Sequence, residues 1–177
     1  GITKEVGSNY RQFIINTRDK EVLRNAIPDI DILYSGILEE TSVVEMTRKV
    51  IHTIISNVLD GKTTLFHCSW GKDRVGVVAA FLLALLGVGM KEILKDYLLT
   101  NRAVKRKALY DAALVLIFKR DWVVTKKVWR GSIARPNYIK GLFMAIEREY
   151  GSTENFFREA LGISDELRDS FRSRMLV

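Results

Sequence analysis

Two side chains in this sequence have the types and the spacing to do chemistry together. Cys68 and Arg74 stand at the two ends of the run Cys68-Ser69-Trp70-Gly71-Lys72-Asp73-Arg74, with His67 just before it. The reactive form of a cysteine is its thiolate, and an arginine guanidinium is a planar fork that grips two phosphate oxygens at once. The run lies between Thr63–Phe66, which reads as a short buried strand, and an apolar segment from Val75 that reads as a helix. A loop curling from a strand into a helix N-terminus turns several backbone N–H groups towards one spot. That spot carries partial positive charge and binds a tetrahedral oxyanion. It also favours thiolate over thiol, drawing a cysteine pKa down from roughly 8.5 towards neutral. The result is a nucleophile beneath a phosphate cradle. A lone cysteine is more often a small buried hydrophobe, but that reading explains neither Gly71, nor the Lys72–Asp73 pair, nor the helix that follows.

The run His67-Cys68-Ser69-Trp70-Gly71-Lys72-Asp73-Arg74 resembles the H-C-x5-R signature of the cysteine-dependent protein-tyrosine phosphatase superfamily. In the form H-C-x-x-G-K-D-R it is similar to a bacterial branch that acts on phosphotyrosine, phosphoserine/threonine or phosphoinositides. The similarity extends through Val77–Val88, Asp96–Asn101 and Glu149–Ser152, so it covers most of the chain from about Ser42. It implies a phosphoric monoester hydrolase in which the Cys68 thiolate attacks phosphorus to give a cysteinyl-phosphate. Backbone N–H groups of Ser69 to Arg74 and the Arg74 guanidinium then hold the equatorial oxygens. Gly71 lets the backbone approach closely, Gly76 continues the turn into the helix, and His67 orients the loop and supports the thiolate. Many members take the leaving-group proton from an Asp on a separate upstream loop. In the branch resembled here the loop aspartate, Asp73, is the implied acid, with Asp31 as runner-up. A lysine at Lys72 accompanies tolerance for phosphoinositide headgroups in that branch; the alternative is a solvent-facing lysine that only raises the local potential. Trp70 either walls the pocket or packs under the loop. The family usually carries Thr or Ser after the arginine, where this chain has Val75, which cannot donate a hydrogen bond to the departing thiolate.

Two other readings compete. A phosphate-binding pseudophosphatase that captures phosphorylated partners is motivated by Val75. Sulfur transfer by a rhodanese-like loop also uses a strand-loop-helix cysteine, but the Gly-Lys-Asp-Arg run does not support it.

Composition narrows the choice. The chain has 177 residues and one cysteine, which excludes an internal disulfide and a multi-cysteine metal site, and only two histidines, His52 and His67, which give a histidine-based metal centre little support. No cofactor is expected. A single reactive thiol fits a reducing, cytoplasmic setting, with export by a signal-less route left open, since Gly1–Tyr10 lacks a leader pattern. The net charge of +7 suits an anionic partner: a phosphotyrosine protein, a phosphoinositide, or a phosphate or sulfate ion in the loop. No nucleic-acid motif is present, and Val75–Val88 is too short to span a bilayer.

The elements that must position the loop follow from periodicity. Gln12–Asn16 reads as a short strand, and Pro28 with Asp29 and Asp31 as a loop or helix start. The Asp-Leu-Arg-like strand that the family carries upstream is not found, which implies a chain truncated relative to its relatives. Ser42–Glu45 reads as a capping box opening a helix with Val43, Met46, Val50, Ile51, Ile54, Ile55 and Val58 on one face, closed at Asp60-Gly61. His52 is expected at its surface. Val75–Leu86 is apolar all round and predicts the buried centre of the fold. Helices are predicted over Lys91–Asn101 and Ala108–Phe118, after Pro136, after Ser152 and after Ser164, the last with Leu167, Phe171 and Met175 inward. Asp121–Ala134 mixes tryptophan with basic residues; it reads as a connector with its tryptophans packed inward, or as a lid or membrane-facing patch. The whole predicts one phosphatase domain over residues 1–177: an α/β fold with a central, mainly parallel sheet flanked by helices and a helical C-terminal half.

Overall fold

The computed structural model describes residues 12–27, 38, 40–68 and 70–176. Its elements are α1 (Lys20–Ala26), α2 (Thr41–Leu59), α3 (Asp73–Leu85), α4 (Met90–Leu99), α5 (Asn101–Lys119), α6 (Trp122–Ser132), α7 (Pro136–Tyr150), α8 (Thr153–Glu159) and α9 (Asp165–Met175). They group into two compact units. One combines Gly1–Ile30 with Asn101–Ile133, the other Asp31–Thr100 with Ala134–Val177.

The expected central sheet is overturned: among the described residues there is no strand. A strand exists only through hydrogen bonds to a neighbour. Thr63–Phe66 has no ladder partner among the described residues, and Leu65, predicted to be buried, is 88% exposed. The segment is instead tied to the end of α2, where Lys62 N–H donates to the Asn57 carbonyl at 2.7 Å and Asn57 Nδ2 to Thr64 Oγ1 at 3.1 Å. The other strand candidate, residues 12–16, is helical. Pro28, Asp29, Asp31, Glu39 and Ser69 lie outside the described residues.

The larger unit is built round α3. Val77, Val78, Ala80, Phe81 and Leu85 are buried along it, as expected of a helix apolar on every face. Phe81 is the centre of an aromatic cluster, with ring centroids 5.8 Å from Phe143 of α7 and 5.3 and 6.0 Å from Phe156 and Phe157 of α8. α2 packs on α3 and α9, and α4 on α3 and α7. The α2 stripe buries Ile51, Ile54 and Ile55, whereas Met46 is 63% exposed. Its start is two residues earlier than the expected capping box: Glu40 is the N-cap without a side-chain bond, and Ser42 already lies in the helix. His52 is half-buried, its Nε2 2.8 Å from the Leu161 carbonyl, which anchors the turn after α8. The C-terminal punctuation is as the sequence predicts. Pro136 opens α7, Gly151 closes it at φ +76°, and the Ser152 and Ser164 hydroxyls accept the Asn155 and Leu167 N–H groups. Met175 is the exception, half exposed instead of inward.

In the smaller unit α6 packs against α5 and α1. Ile14, Leu23, Ile27, Val115, Val124 and Val128 form its core. Asp121 caps α6, accepting from the N–H groups of Val123 and Val124 at 3.0 and 3.1 Å while its other oxygen takes Arg24 Nε at 2.9 Å. Thus most of the stretch read as a connector, Trp122–Ser132, is a helix. Of its tryptophans, Trp122 is 69% exposed and only Trp129 is partly covered.

Candidate active site

The phosphate-loop residues converge because α3 begins where the loop ends. The first N–H groups of any helix lack partners inside it. In α3 these groups follow the N-cap Lys72, which makes no side-chain cap bond. One of them, Val75 N–H, is directed at the Cys68 sulfur, and so are the N–H groups of Trp70 and Gly71. Partial burial is the largest single influence on Cys68 and pushes its thiol up. The three N–H groups and the charge of Arg74 together outweigh it, and the net effect lowers the Cys68 pKa below its ordinary value. The sulfur is half-buried, within reach of solvent.

The two glycines do different work. Gly71 has φ +65°, and a Cβ placed on it would meet nothing within 4 Å, so its requirement is the left-handed backbone. At Gly76 the requirement is space: a Cβ there would lie 2.7 Å from Tyr97 Cε2 and 2.9 Å from Cδ2. The buried Tyr97 ring on α4 thereby supports the start of α3 from below.

Lys72 is not the solvent-facing residue of the simpler expectation. It is 2% exposed, its Nζ 3.1 Å from Asp73 Oδ1 and 5.7 Å from the ring centroid of Tyr138. Tyr138, on α7, is fully buried, and Arg135 Cζ stands 5.8 Å from the same ring. Two cations therefore contact one aromatic ring, and Lys72 ties the loop to the first turn of α7. Sequence reading missed Tyr138 and Arg135. The only available signal was Pro136, which places both at the beginning of a helix, but periodicity says nothing about what that end meets.

The remaining predicted site residues are placed as follows. Asp73 opens α3 with its side chain 49% exposed, and Arg74 beside it is exposed. Trp70 is 41% exposed and so is not buried beneath the loop. His67 is exposed and forms no hydrogen bond with a described residue. Val75 is half-buried and reaches Cys68 through its backbone only. Ser69 and the runner-up acid Asp31 lie outside the described residues.

A helix start whose Val75 N–H meets a cysteine sulfur together with the loop N–H groups of Trp70 and Gly71, with Arg74 beside it, defines a thiolate–oxyanion centre. The family model for the tyrosine phosphatase family matches residues 9–177, and the chain belongs to that family. A candidate tyrosine-protein phosphatase of Cupriavidus necator is 36% identical over 103 residues, 58% of this chain and 37% of the relative. The triple specificity protein phosphatase PtpB of Mycobacterium tuberculosis is 29% identical over 137 residues, 73% of this chain and 49% of the relative. A tyrosine-protein phosphatase of Nostoc commune is 54% identical over 33 residues, 19% of this chain and 11% of the relative. The chain thus spans half or less of the length of these curated relatives.

Proposed function

We propose that this protein hydrolyses phosphomonoesters, with protein phosphotyrosine as the first substrate class and phosphoserine/threonine or phosphoinositide as extensions. The observation that carries the reading is the convergence of three backbone N–H groups and Arg74 on the half-buried Cys68 sulfur. The thiolate attacks phosphorus, an S–P bond forms and the P–O bond to the leaving group breaks. Asp73, open to solvent, gives its proton to the leaving oxygen. A water then attacks phosphorus, Asp73 takes up the proton released, the S–P bond breaks and inorganic phosphate leaves. The loop N–H groups and the Arg74 fork hold the equatorial oxygens throughout, which is the main electrostatic demand of phosphoryl transfer. Lys72, buried against Tyr138, holds the Asp73 carboxylate side of the loop in place.

Phosphate release from a small aryl phosphate, measured across about pH 5 to 8, tests this. Turnover disappears in Cys68→Ser, and Asp73→Asn removes one limb of the pH–rate profile. A profile unchanged in Asp73→Asn excludes that residue as the acid. Val75 favours a second reading, capture of phosphorylated partners without turnover. Phosphopeptide binding to the unmodified protein with no phosphate release distinguishes it.

A further inference from the structure

The smaller unit has a face that its own core leaves bare. α5 buries Val104, Ala108, Ala112 and Val115. On its other sides Leu109, Leu116, Ile117 and Phe118 are 62, 40, 65 and 75% exposed, and α6 adds Trp122 at 69%. Single exposed apolar residues are ordinary on a soluble surface, but a cluster of large ones marks an interaction surface. Arg102, Arg106, Leu109, Ala113 and Leu116 recur at alternating steps of four and three, so they form one stripe of α5. That stripe is cationic at its N-terminal end and apolar at its C-terminal end.

Charge says what covers it. Residues 101–133 hold nine Lys or Arg and two Asp, so this stretch carries all of the chain's net charge of +7, while acids and bases balance over the remaining residues. Both acids are already engaged, Asp111 with Lys107 at 2.8 Å and Asp121 with Arg24 at 2.9 Å. Arg102, Lys105, Arg106, Arg120 and Lys126 are exposed around the apolar cluster. A nucleic acid or an acidic protein tail would use the cations and leave Ile117, Phe118 and Trp122 in water. An anionic bilayer uses both: headgroups meet the cations, the acyl boundary takes the aliphatic and aromatic side chains, and tryptophan sits at headgroup depth.

We propose that the exposed face of α5 and the start of α6 docks on an anionic lipid surface. No turnover enters this proposal, and it stands or falls apart from the phosphatase reading.

The test is co-sedimentation of the full chain with vesicles of phosphatidylcholine alone and with about 30% phosphatidylserine added. Binding is expected to the anionic vesicles only, with a blue shift of tryptophan fluorescence that Trp122→Phe diminishes. The pair Ile117→Ser, Phe118→Ser lowers partitioning by about tenfold or more, through lost apolar insertion. The pair Arg106→Glu, Lys126→Glu lowers it by about tenfold or more, and so does raising salt to about 0.5 M. All four positions are exposed, so circular dichroism of both variants should match the unmodified protein. Equal binding to neutral vesicles overturns the proposal, as does no binding, or binding that both variants retain. A dimer in sedimentation velocity that the Ile117/Phe118 variant disperses, without vesicle binding, also overturns it and assigns the face to a second copy.

Discussion

Replacing Gly76 by alanine sets two known effects against each other at the root of the phosphate loop. Glycine inside a helix is disfavoured relative to alanine by about 1 kcal/mol, so on propensity alone Gly76→Ala stabilises α3. The new methyl, however, would lie 2.7 and 2.9 Å from two ring carbons of Tyr97, where carbon contacts relax to about 3.5–4.0 Å. The ring must therefore retreat by roughly 0.5–1 Å. Tyr97 is 3% exposed, with α4 packed on both α3 and α7, so it has no free direction in which to go. Overpacking of that kind costs about 1–3 kcal/mol, and the balance is a loss of about 1 kcal/mol. Urea denaturation reads this as a lower midpoint at unchanged m-value. In a Tyr97→Leu background the clash is gone and the helix term remains, so Gly76→Ala becomes neutral or stabilising by up to about 1 kcal/mol. The cycle then gives a coupling of about 1–2 kcal/mol. A stabilising Gly76→Ala in the unmodified background refutes the reasoning, and so does a coupling near zero.

Arg74→Ala removes a side-chain charge that depresses the Cys68 pKa. The alkylation midpoint should move up, and kcat/KM for an aryl phosphate should fall by about 10²–10³-fold. An unmoved midpoint places Arg74 out of reach of the sulfur. Val75→Thr restores a hydroxyl beside the leaving thiolate and should speed breakdown of the phosphoenzyme, diminishing any burst in stopped-flow turnover; an unchanged kcat rejects that role. Burial pushes the Asp121 carboxyl up, but the Val124 and Val123 N–H groups and Arg24 hold it below its ordinary value. Its contribution to stability is present above the unfolded pKa of about 3.9 and is lost as pH falls through the lower folded value. Asp121→Ala should cost about 1–2 kcal/mol near neutral pH and remove that acid-side dependence, both measurable by chemical denaturation.

The helices of the larger unit were legible because each carries its own evidence, whereas α1 and α6 of the smaller unit were not. Ser152, Ser164, Pro136 and Gly151 mark ends through local chemistry, and the α3 run Val75–Leu86 is apolar on every side, as only a central helix can be. The loop was legible for the same reason, since its chemistry lies within consecutive residues. The sheet was inferred from a single short segment, Thr63–Phe66, and a strand's existence depends on a neighbour that the segment itself does not encode. Met46 and Met175 failed in another way. Met46 lies five and nine residues from the buried Ile51 and Ile55, which puts it on the other side of α2, and Met175 is the last residue of α9. The Lys72–Tyr138 contact joins residues far apart in the chain, so no spacing rule could reveal it.

Phe81 also sets an order of events during synthesis. Its aromatic neighbours Phe156 and Phe157 follow it by some 75 positions. At about 5–20 residues per second the ribosome takes roughly 4–15 s to supply them. Throughout that interval the apolar α3 segment has emerged, or is emerging, without its cover. The nucleophile loop is thus translated well before α7 and α8, which complete the packing round α3. A nascent chain halted before Phe143 presents Val77, Phe81 and Leu85 to whatever binds apolar segments at the exit port.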